Sequence, residues 1–314
     1  MDENSFVKYL KAEFPFSRGE GIGDDTSIVR SGTGFQLITK DILLEGIHFD
    51  RSYFTLDEIG YRAVGVNISD IAAMGGIPEY LYLGLGVSED YREKEIRSFF
   101  KGVKSGCKKW NVELAGGDLS ASKQGMFISI TMIGTALHPV KRGGAGTGDL
   151  IGLSRVTGES AIGLALLSRG ENIPRFTNRH KDPDPEISKG KILAGYVSSM
   201  IDISDGLIMD LERLMSNSGK GCKVIYENIP VTDTMRDVCR NYKLPEKEMV
   251  LSGGEDFALL FTIGKEKEKE LRKTGIKHYI IGEVTEKKGV NIFSSGKILD
   301  LEIKGFDHFN KLNS

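Results

Sequence analysis

Aspartate beside glycine recurs along this chain: GIGDD at 21–25, GGD at 116–118, GGAGTGD at 143–149, SDG at 204–206 and SGGED at 252–256. Glycine lets backbone amides approach an anion and takes positive φ without penalty, while a neighbouring carboxylate can hold a hard cation. That combination suits a metal–nucleotide site. The carboxylates on offer are Asp24, Asp25, Asp41, Glu45, Asp70, Asp118, Asp202, Asp205, Glu255 and Asp256, each beside a glycine cluster or at the end of an expected strand. Gathered in one cleft, they would repel one another and take up protons unless cations neutralised them. Oxygen-only ligation selects Mg²⁺, Mn²⁺ or Ca²⁺, and Mg²⁺ commonly shares its ligands with substrate phosphates. An isolated Asp-Gly is more often only a turn. Asp149 reads as a turn residue ahead of a strand, and Asp210 and Glu212 read as a solvated helix face.

Other chemistries are excluded by what the chain lacks. It has no GxxxxGK[ST], no GxGxxG opening a βαβ unit and no HExxH. Of its five histidines, His48, His138, His180, His278 and His308, no two fall at metal-ligand spacing. Cys107, Cys222 and Cys239 form no CxxC pair, so neither a zinc framework nor a disulfide scaffold is expected, and a reducing compartment is. A formal net charge of -2 favours neither nucleic acid nor an anionic membrane. The start MDENSFVKYLKAEF is acidic and does not read as a secretory signal. No apolar run approaches the roughly 20 residues that span a bilayer. A soluble, cytoplasmic protein with a small-molecule partner is the expectation.

The elements that must position the carboxylates follow from periodicity. Residues 35–43 read as a strand ending on Asp41, and 55–75 as a helix with Ile59, Ala63 and Val66 on one side. On that helix Asn67 and Asp70 are three apart and share a face. Residues 80–87 alternate in strand period; Ser88 then reads as the N-cap of an amphipathic helix carrying Ile96, Phe99, Phe100, Val103, Cys107 and Trp110. Strands at 112–115 and 126–136 close this half. The Gly, Lys and Arg-rich stretch 138–148 reads as a boundary. Beyond it, strands are expected at 150–154, 199–203, 223–227, 257–263 and 279–284, with helices near 159–168, 187–197, 207–216, 234–241 and 265–273. Residues 172–186, with Pro174, Pro183 and Pro185 among charges, read as a surface loop. At 314 residues the chain is long for one core. Two α/β or α+β domains are expected, 1–137 and 138–314.

In order along the chain, GIGDDTSIV, TKDILLEGIHF, VNISDIAAMGGIPEY, AGGDLS, RGGAGTGDLIGLS, MIDISDGLIMDL and SGGEDFALLF resemble the successive signature segments of thiamine-monophosphate kinases, and GFDHF at 305–309 resembles that family's C-terminal end. The same plan is shared by aminoimidazole ribonucleotide synthetase, selenophosphate synthetase and a hydrogenase maturation protein. The EGIHF and SGGEDF segments favour the thiamine branch. The chain ends KLNS with no terminal cysteine, which disfavours the maturation protein, and no cysteine lies near the N-terminus for selenium chemistry.

The resemblance implies a two-domain fold like that of aminoimidazole ribonucleotide synthetase, a homodimer paired through its N-terminal domains, and ATP near the subunit interface. It implies Asp25, Thr39, Asp41, Asp70, Asp118 and Asp202 as Mg²⁺ ligands or their close supports, with Asp205 for a further ion. Gly117, Asp118, Arg142, Ser204 and Phe100 would contact ATP. His48, Glu255 and Phe306 would contact the thiamine moiety. The implied reaction is direct in-line transfer of the ATP γ-phosphoryl group to thiamine monophosphate, with Mg²⁺ bridging the two phosphate groups. Asp25, Asp41, Asp70, Asp118, Arg142 and Asp202 form the implied catalytic set. Two departures stand out: Thr39-Lys40-Asp41 where the family has Thr-Thr-Asp, and Phe100 where tyrosine is common. The rival readings are an ATP-dependent ligase or cyclase of the same superfamily and a non-catalytic Mg-ATP sensor.

Overall fold

A computed structural model describes residues 3–299. Helix α1 (Glu3–Glu13) leads into strands β1 (Gly19–Glu20), β2 (Ser27–Ser31) and β3 (Gly34–Leu44). Then come α2 (Leu56–Ala73), β4 (Ile77–Val87), α3 (Glu93–Trp110), β5 (Glu113–Ala121) and β6 (Met126–Ala136). After residues 137–149, which form neither helix nor strand, follow β7 (Leu150–Leu153), α4 (Glu159–Leu167), α5 (Pro174–Lys181), α6 (Ile187–Leu193), β8 (Ser199–Asp202), α7 (Leu207–Ser218) and β9 (Gly221–Ile225). The last elements are α8 (Asp233–Asn241), α9 (Glu246–Ser252), β10 (Leu259–Ile263), α10 (Lys265–Lys273), β11 (Tyr279–Thr285), β12 (Gly289–Ser294) and β13 (Lys297–Ile298).

Among the described residues the first half forms a six-stranded sheet in the order β1-β2-β3-β6-β4-β5, antiparallel except where β5 runs parallel to β4. The second half forms a seven-stranded sheet in the order β13-β12-β9-β11-β7-β10-β8, antiparallel except between β12 and β9. Each sheet has its own apolar core. Leu37, Leu81, Ile128 and Ile130 of the first pack with Ile59, Ile68, Ile71 and Phe99 of α2 and α3. Leu153, Ile201 and Leu260 of the second pack with Ile162, Leu211 and Val250 of its helices. This is the mixed α/β, α+β architecture that the alternating pattern predicts.

Helix α2 joins the two cores. Thr55 and Glu58 form a capping box at its start: the Thr55 amide donates to Glu58 Oε2 at 2.9 Å and the Glu58 amide to Thr55 Oγ1 at 3.4 Å. Beyond the cap it is buried on nearly every side, because Ile59 and Ile68 face the first core while Ala73 joins Leu193, Met200 and Phe261 behind the second sheet. Glycine lets α3 lie against it: a Cβ at Gly60 would stand 2.1 Å from the Phe99 carbonyl oxygen, and one at Gly102 1.8 Å from that of Asp57.

Three local expectations are corrected. Residues 172–186 contain α5, with Pro174 in its first turn, where the missing amide costs nothing, and with Phe176, Thr177 and His180 buried. Ser88 is not a helix cap: its hydroxyl donates to Asp90 Oδ2 at 3.1 Å, and α3 begins at Glu93 with Arg92 at the N-cap. The GGD cluster lies inside β5, which runs on to Ala121 instead of stopping at residue 115.

Replacing Gly60 or Gly102 by alanine should therefore cost about 1–3 kcal/mol through overpacking. The readout is a lower urea midpoint at an unchanged slope. Gly195→Ala, whose Cβ would meet its nearest atom at 3.5 Å, should be close to neutral.

Candidate active site

Four separate segments deliver carboxylates to one place. Strand alternation in β3 turns Thr39 and Asp41 toward α2 and Lys40 the other way, where its ammonium donates to Ser129 Oγ at 2.7 Å and Thr131 Oγ1 at 3.3 Å. Lys40 is thus off the site altogether. Helix α2 answers β3 with Asn67, whose Oδ1 accepts the Asp41 amide at 3.3 Å, and with Asp70, whose Oδ2 accepts the Thr39 hydroxyl. The second sheet contributes Asp202 from the end of β8, where the Ser69 hydroxyl of α2 donates to its Oδ2 at 2.6 Å. The loop before β2 contributes Asp25, which accepts the Arg142 guanidinium through Nε at 3.1 Å and through Nη2. One carboxylate oxygen from each of Asp25, Asp70 and Asp202 lies within 4.8 Å of the others.

Burial and mutual repulsion raise these groups together. Desolvation, then Asp41, Asp202 and Asp25, pushes Asp70 well above the usual carboxylate range, against the Thr39 hydrogen bond. Desolvation followed by Asp25 does the same to Asp202, against the Ser69 hydroxyl. Asp41 rises to about 6 through desolvation, Asp205 and Asp25. Asp25 also rises by burial, with Arg142 opposing it. Asp25 Oδ2 is buried without a hydrogen-bond partner among the described residues. A carboxylate with an orphaned oxygen, grouped with two more carboxylates, offers only oxygen ligands and fits a hard divalent cation.

The surrounding loops are tied in by residues that sequence reasoning misjudged or passed over. Asp210 is wholly buried and no solvated residue: its Oδ2 accepts the amides of Ser204 at 3.1 Å and Asp205 at 3.2 Å. Glu212 alone of that pair faces solvent. Arg213 bridges Asp205 Oδ2 at 2.5 Å and Asp210 Oδ1 at 2.8 Å. Burial lifts Asp210 to about 7 against the Arg213 charge. Ser69 and Arg213 had no sequence signal beyond their place beside a motif. Asp24 accepts the Arg142 amide at 3.1 Å and so fixes that segment.

Other candidates stand elsewhere. Glu45 accepts the Tyr91 hydroxyl at 2.5 Å and the Met126 amide at 2.8 Å. Asp256 accepts the Gly158 and Ser160 amides at the start of α4. Asp149 is the turn residue expected, accepting the Gly146 amide at 2.9 Å. Asp118 is not beside the cluster within one chain: it pairs with Gly84, Gly84 with Ser129 and Ser129 with Ile42. Three strand spacings of about 4.8 Å therefore separate it from β3, and the pleat sets it on the face opposite Asp41. Gly117 lies in the same edge strand, where a Cβ would meet the Leu83 carbonyl oxygen at 1.9 Å. Phe100 packs at 5.4 Å from the Phe99 ring and lines a hollow with Ile96, Arg97 and Lys104, none of which belongs to the cluster. Phe306 lies outside the described residues.

His48 and Glu255 form a second group. His48 Nδ1 accepts the Leu44 amide at 3.0 Å, which caps the end of β3. Glu255, at φ +63°, donates its amide to the Ser204 carbonyl at 2.7 Å. Desolvation alone would raise the carboxyl of this half-buried residue, but Arg62, the largest opposing influence, holds it below the ordinary glutamate value.

Comparison with known proteins gives two family-model matches: AIR synthase related protein, N-terminal domain, over residues 23–136, and AIR synthase related protein, C-terminal domain, over 157–294. The chain is 36% identical to thiamine-monophosphate kinase of Aquifex aeolicus over 293 residues, 92% of each chain. It is 33% identical to that of Pyrococcus horikoshii over 309 residues, 98% of this chain and 96% of the relative. Its fold matches AaThiL complexed with AMPPCP and TMP at a TM-score of 0.89 and 32% identity, over 98% of this chain and 97% of that one.

The raised carboxylates set a pH dependence. An aspartate raised above its unfolded value of 3.8 keeps its proton in the folded chain at a pH where the unfolded chain has lost it. The folded state then binds more protons, so stability falls as pH rises from about 4 through the raised values. In EDTA the protein should melt lower at about pH 8 than at about pH 5.5 from this contribution. Saturating MgCl₂ should raise Tm more at the higher pH, since cation binding displaces those protons. Equal Mg²⁺ gains at both pH values would contradict the metal reading.

Proposed function

We propose that this chain, which belongs to the thiamine-monophosphate kinase family of the AIR synthase related proteins, phosphorylates thiamine monophosphate with ATP to give thiamine diphosphate. It is a phosphotransferase whose acceptor is itself a phosphate group. The observation that carries this reading is the meeting of Asp25, Asp70 and Asp202 within 4.8 Å beside Arg142, a site for two polyanions held by a counter-charge.

The roles of individual residues belong to the proposal. Asp25, Asp70 and Asp202 would hold Mg²⁺, with Thr39, Asp41 and Asp205 beside them, and Mg²⁺ when bound supplies charge neutralisation between the two phosphate groups. Arg142 turns its guanidinium to the phosphates of ATP, for which its planar fork is suited. Ser204, Gly117 and Phe100 contact the nucleotide, and His48, Glu255 and Phe306 the thiamine moiety. No side chain need remove a proton, because a phosphate monoester has a second pKa of about 6 and is already largely anionic at neutral pH. A division into domains 1–137 and 138–314, a cytoplasmic location and a homodimer complete the reading. Among the described residues no helix is long and apolar enough to cross a membrane. The outer face and edge of the first sheet expose Ile42, Tyr82, Phe127 and Leu119, a surface suited to a second copy. Asp118, remote from the cluster of its own chain, would then serve the site of the partner copy.

Incubation with ATP, Mg²⁺ and candidate acceptors tests the activity. ADP should form with thiamine monophosphate and hardly at all with thiamine, which lacks both the ready nucleophile and the metal-binding oxygens. Turnover on an aminoimidazole precursor would favour the ligase or cyclase, and binding without turnover the sensor.

Subunit mixing tests the shared site. Asp70→Asn and Asp118→Asn should each lose most activity with the fold retained. Co-expressed in equal amounts, they should recover about a quarter of wild-type turnover, because in a two-fold dimer half the chains pair as hybrids and one site in each hybrid is intact. No recovery would place Asp118 in cis or outside catalysis.

A further inference from the structure

Arg62 is a deeply buried cation, at 1% exposure, and nothing in the reaction as described above uses it. It projects from α2 between the faces of Phe54 and Phe257, whose ring centres lie 5.7 and 5.9 Å from its guanidinium carbon. Nη2 donates to Glu255 Oε1 and Nη1 to the His180 carbonyl, while Nε is buried without a partner among the described residues. On the other side of the carboxylate, His180 Nδ1 lies 3.4 Å from Glu255 Oε2 and 3.1 Å from Ser160 Oγ. Glu255 therefore cannot choose its own rotamer. Its backbone is set by the bond to Ser204, with Gly254 packed so that a Cβ there would meet the Ser204 carbonyl oxygen at 2.3 Å. Its side chain is set from the other half of the molecule by Arg62.

We infer that Arg62 is a positioning residue for substrate selection: from the α2 side it fixes the Glu255 carboxylate as an oriented anion, and so tunes affinity for a cationic organic moiety without touching it. The inference rests on the assignment of Glu255 to the thiamine moiety under Proposed function. A fixed anion suits that moiety, whose thiazolium ring carries a permanent positive charge. Arginine serves here where a looser ammonium would not, because one planar group reaches the carboxylate and the His180 carbonyl at once. Removing it leaves Glu255 partly unpaired and free to turn.

Steady-state kinetics on the full-length enzyme separate this role from general support of the fold. Arg62→Met should raise KM for thiamine monophosphate about tenfold or more, the loss expected when one charge-assisted hydrogen bond stops orienting the contact. It should leave kcat and the KM for ATP within about twofold, on the same scale of a tenfold change per 1.4 kcal/mol. Arg62→Lys, which keeps the charge and one donor, should recover part of the loss. Glu255→Gln should raise the same KM, and the double variant Arg62→Met/Glu255→Gln should be no worse than Glu255→Gln alone, because Arg62 acts only through that carboxylate. A parallel fall in kcat, rise in KM for ATP and drop in Tm would make Arg62 a structural residue and overturn the inference. So would independent, additive effects of the two substitutions. Should Glu255→Gln itself leave the KM for thiamine monophosphate unchanged, the assignment of Glu255 fails first and the inference falls with it.

Discussion

Three carboxylates with oxygens inside 4.8 Å of one another are the constraint on which this structure turns. Left alone they would separate or protonate, since burial and like charge both disfavour the ionised form. The fold withholds the first escape. Asp25 is on a loop bonded to Arg142, Asp70 on a helix packed on both cores, and Asp202 at the end of a strand paired with β10 through Leu259. None can retreat without breaking the packing of its own element. Thr39 and Ser69 each donate a hydroxyl hydrogen bond, and Arg142 offers a positive charge, so repulsion is offset but not cancelled. A site that is short of positive charge in the resting protein is one prepared to take charge from a ligand.

Helix α2 is the member that makes this arrangement rigid. A surface helix would need one apolar stripe; this one is buried on nearly all sides and so can present polar groups only where each has a partner. Asn67 meets the Asp41 amide, Ser69 meets Asp202, Asp70 meets Thr39 and Arg62 meets Glu255. These bonds run to both halves of the chain. The two sheets are thereby registered through the same helix that carries the central carboxylate, and packing around Gly60 and Gly102 is transmitted directly to the chemistry.

Much of this was legible in the sequence, and the gaps have physical causes. The glycine–aspartate clusters stood out by composition, and helical spacing put Asn67 and Asp70 on one face as they are found. Asp210 was misread because its helix is polar enough to look solvated: charge pattern cannot reveal that a carboxylate folds back on the amides of its own preceding loop. Prolines and charges make residues 172–186 look like a loop in sequence, but Pro174 occupies the first turn of α5, which tolerates it. The strand expected at 112–115 stops short of the GGD segment because glycine is a weak strand former. In β5 it pairs tightly with β4, where Gly117 lies so close to the Leu83 carbonyl that no side chain fits. Lys40 departs from the family's Thr-Thr-Asp, and strand alternation in β3 turns it to the face opposite Thr39 and Asp41, where it bonds Ser129.

What separates the clustered aspartates from Asp210 and Asp256 is the kind of partner that each finds. Asp210 and Asp256 are as buried as Asp202, and burial raises all three. Asp210 accepts two amides of a loop, and Asp256 two amides at a helix start, so their lone pairs are occupied by the backbone they organise. Asp202 accepts one hydroxyl and then faces other carboxylates; Asp25 has an oxygen with no partner at all among the described residues. Sequence places aspartate beside glycine in both cases, because tight turns need the glycine whichever role the carboxylate plays. Only the three-dimensional count of filled and unfilled acceptor sites tells them apart, and that count points to Asp25, Asp70 and Asp202 as the oxygens still able to bind something that is not protein.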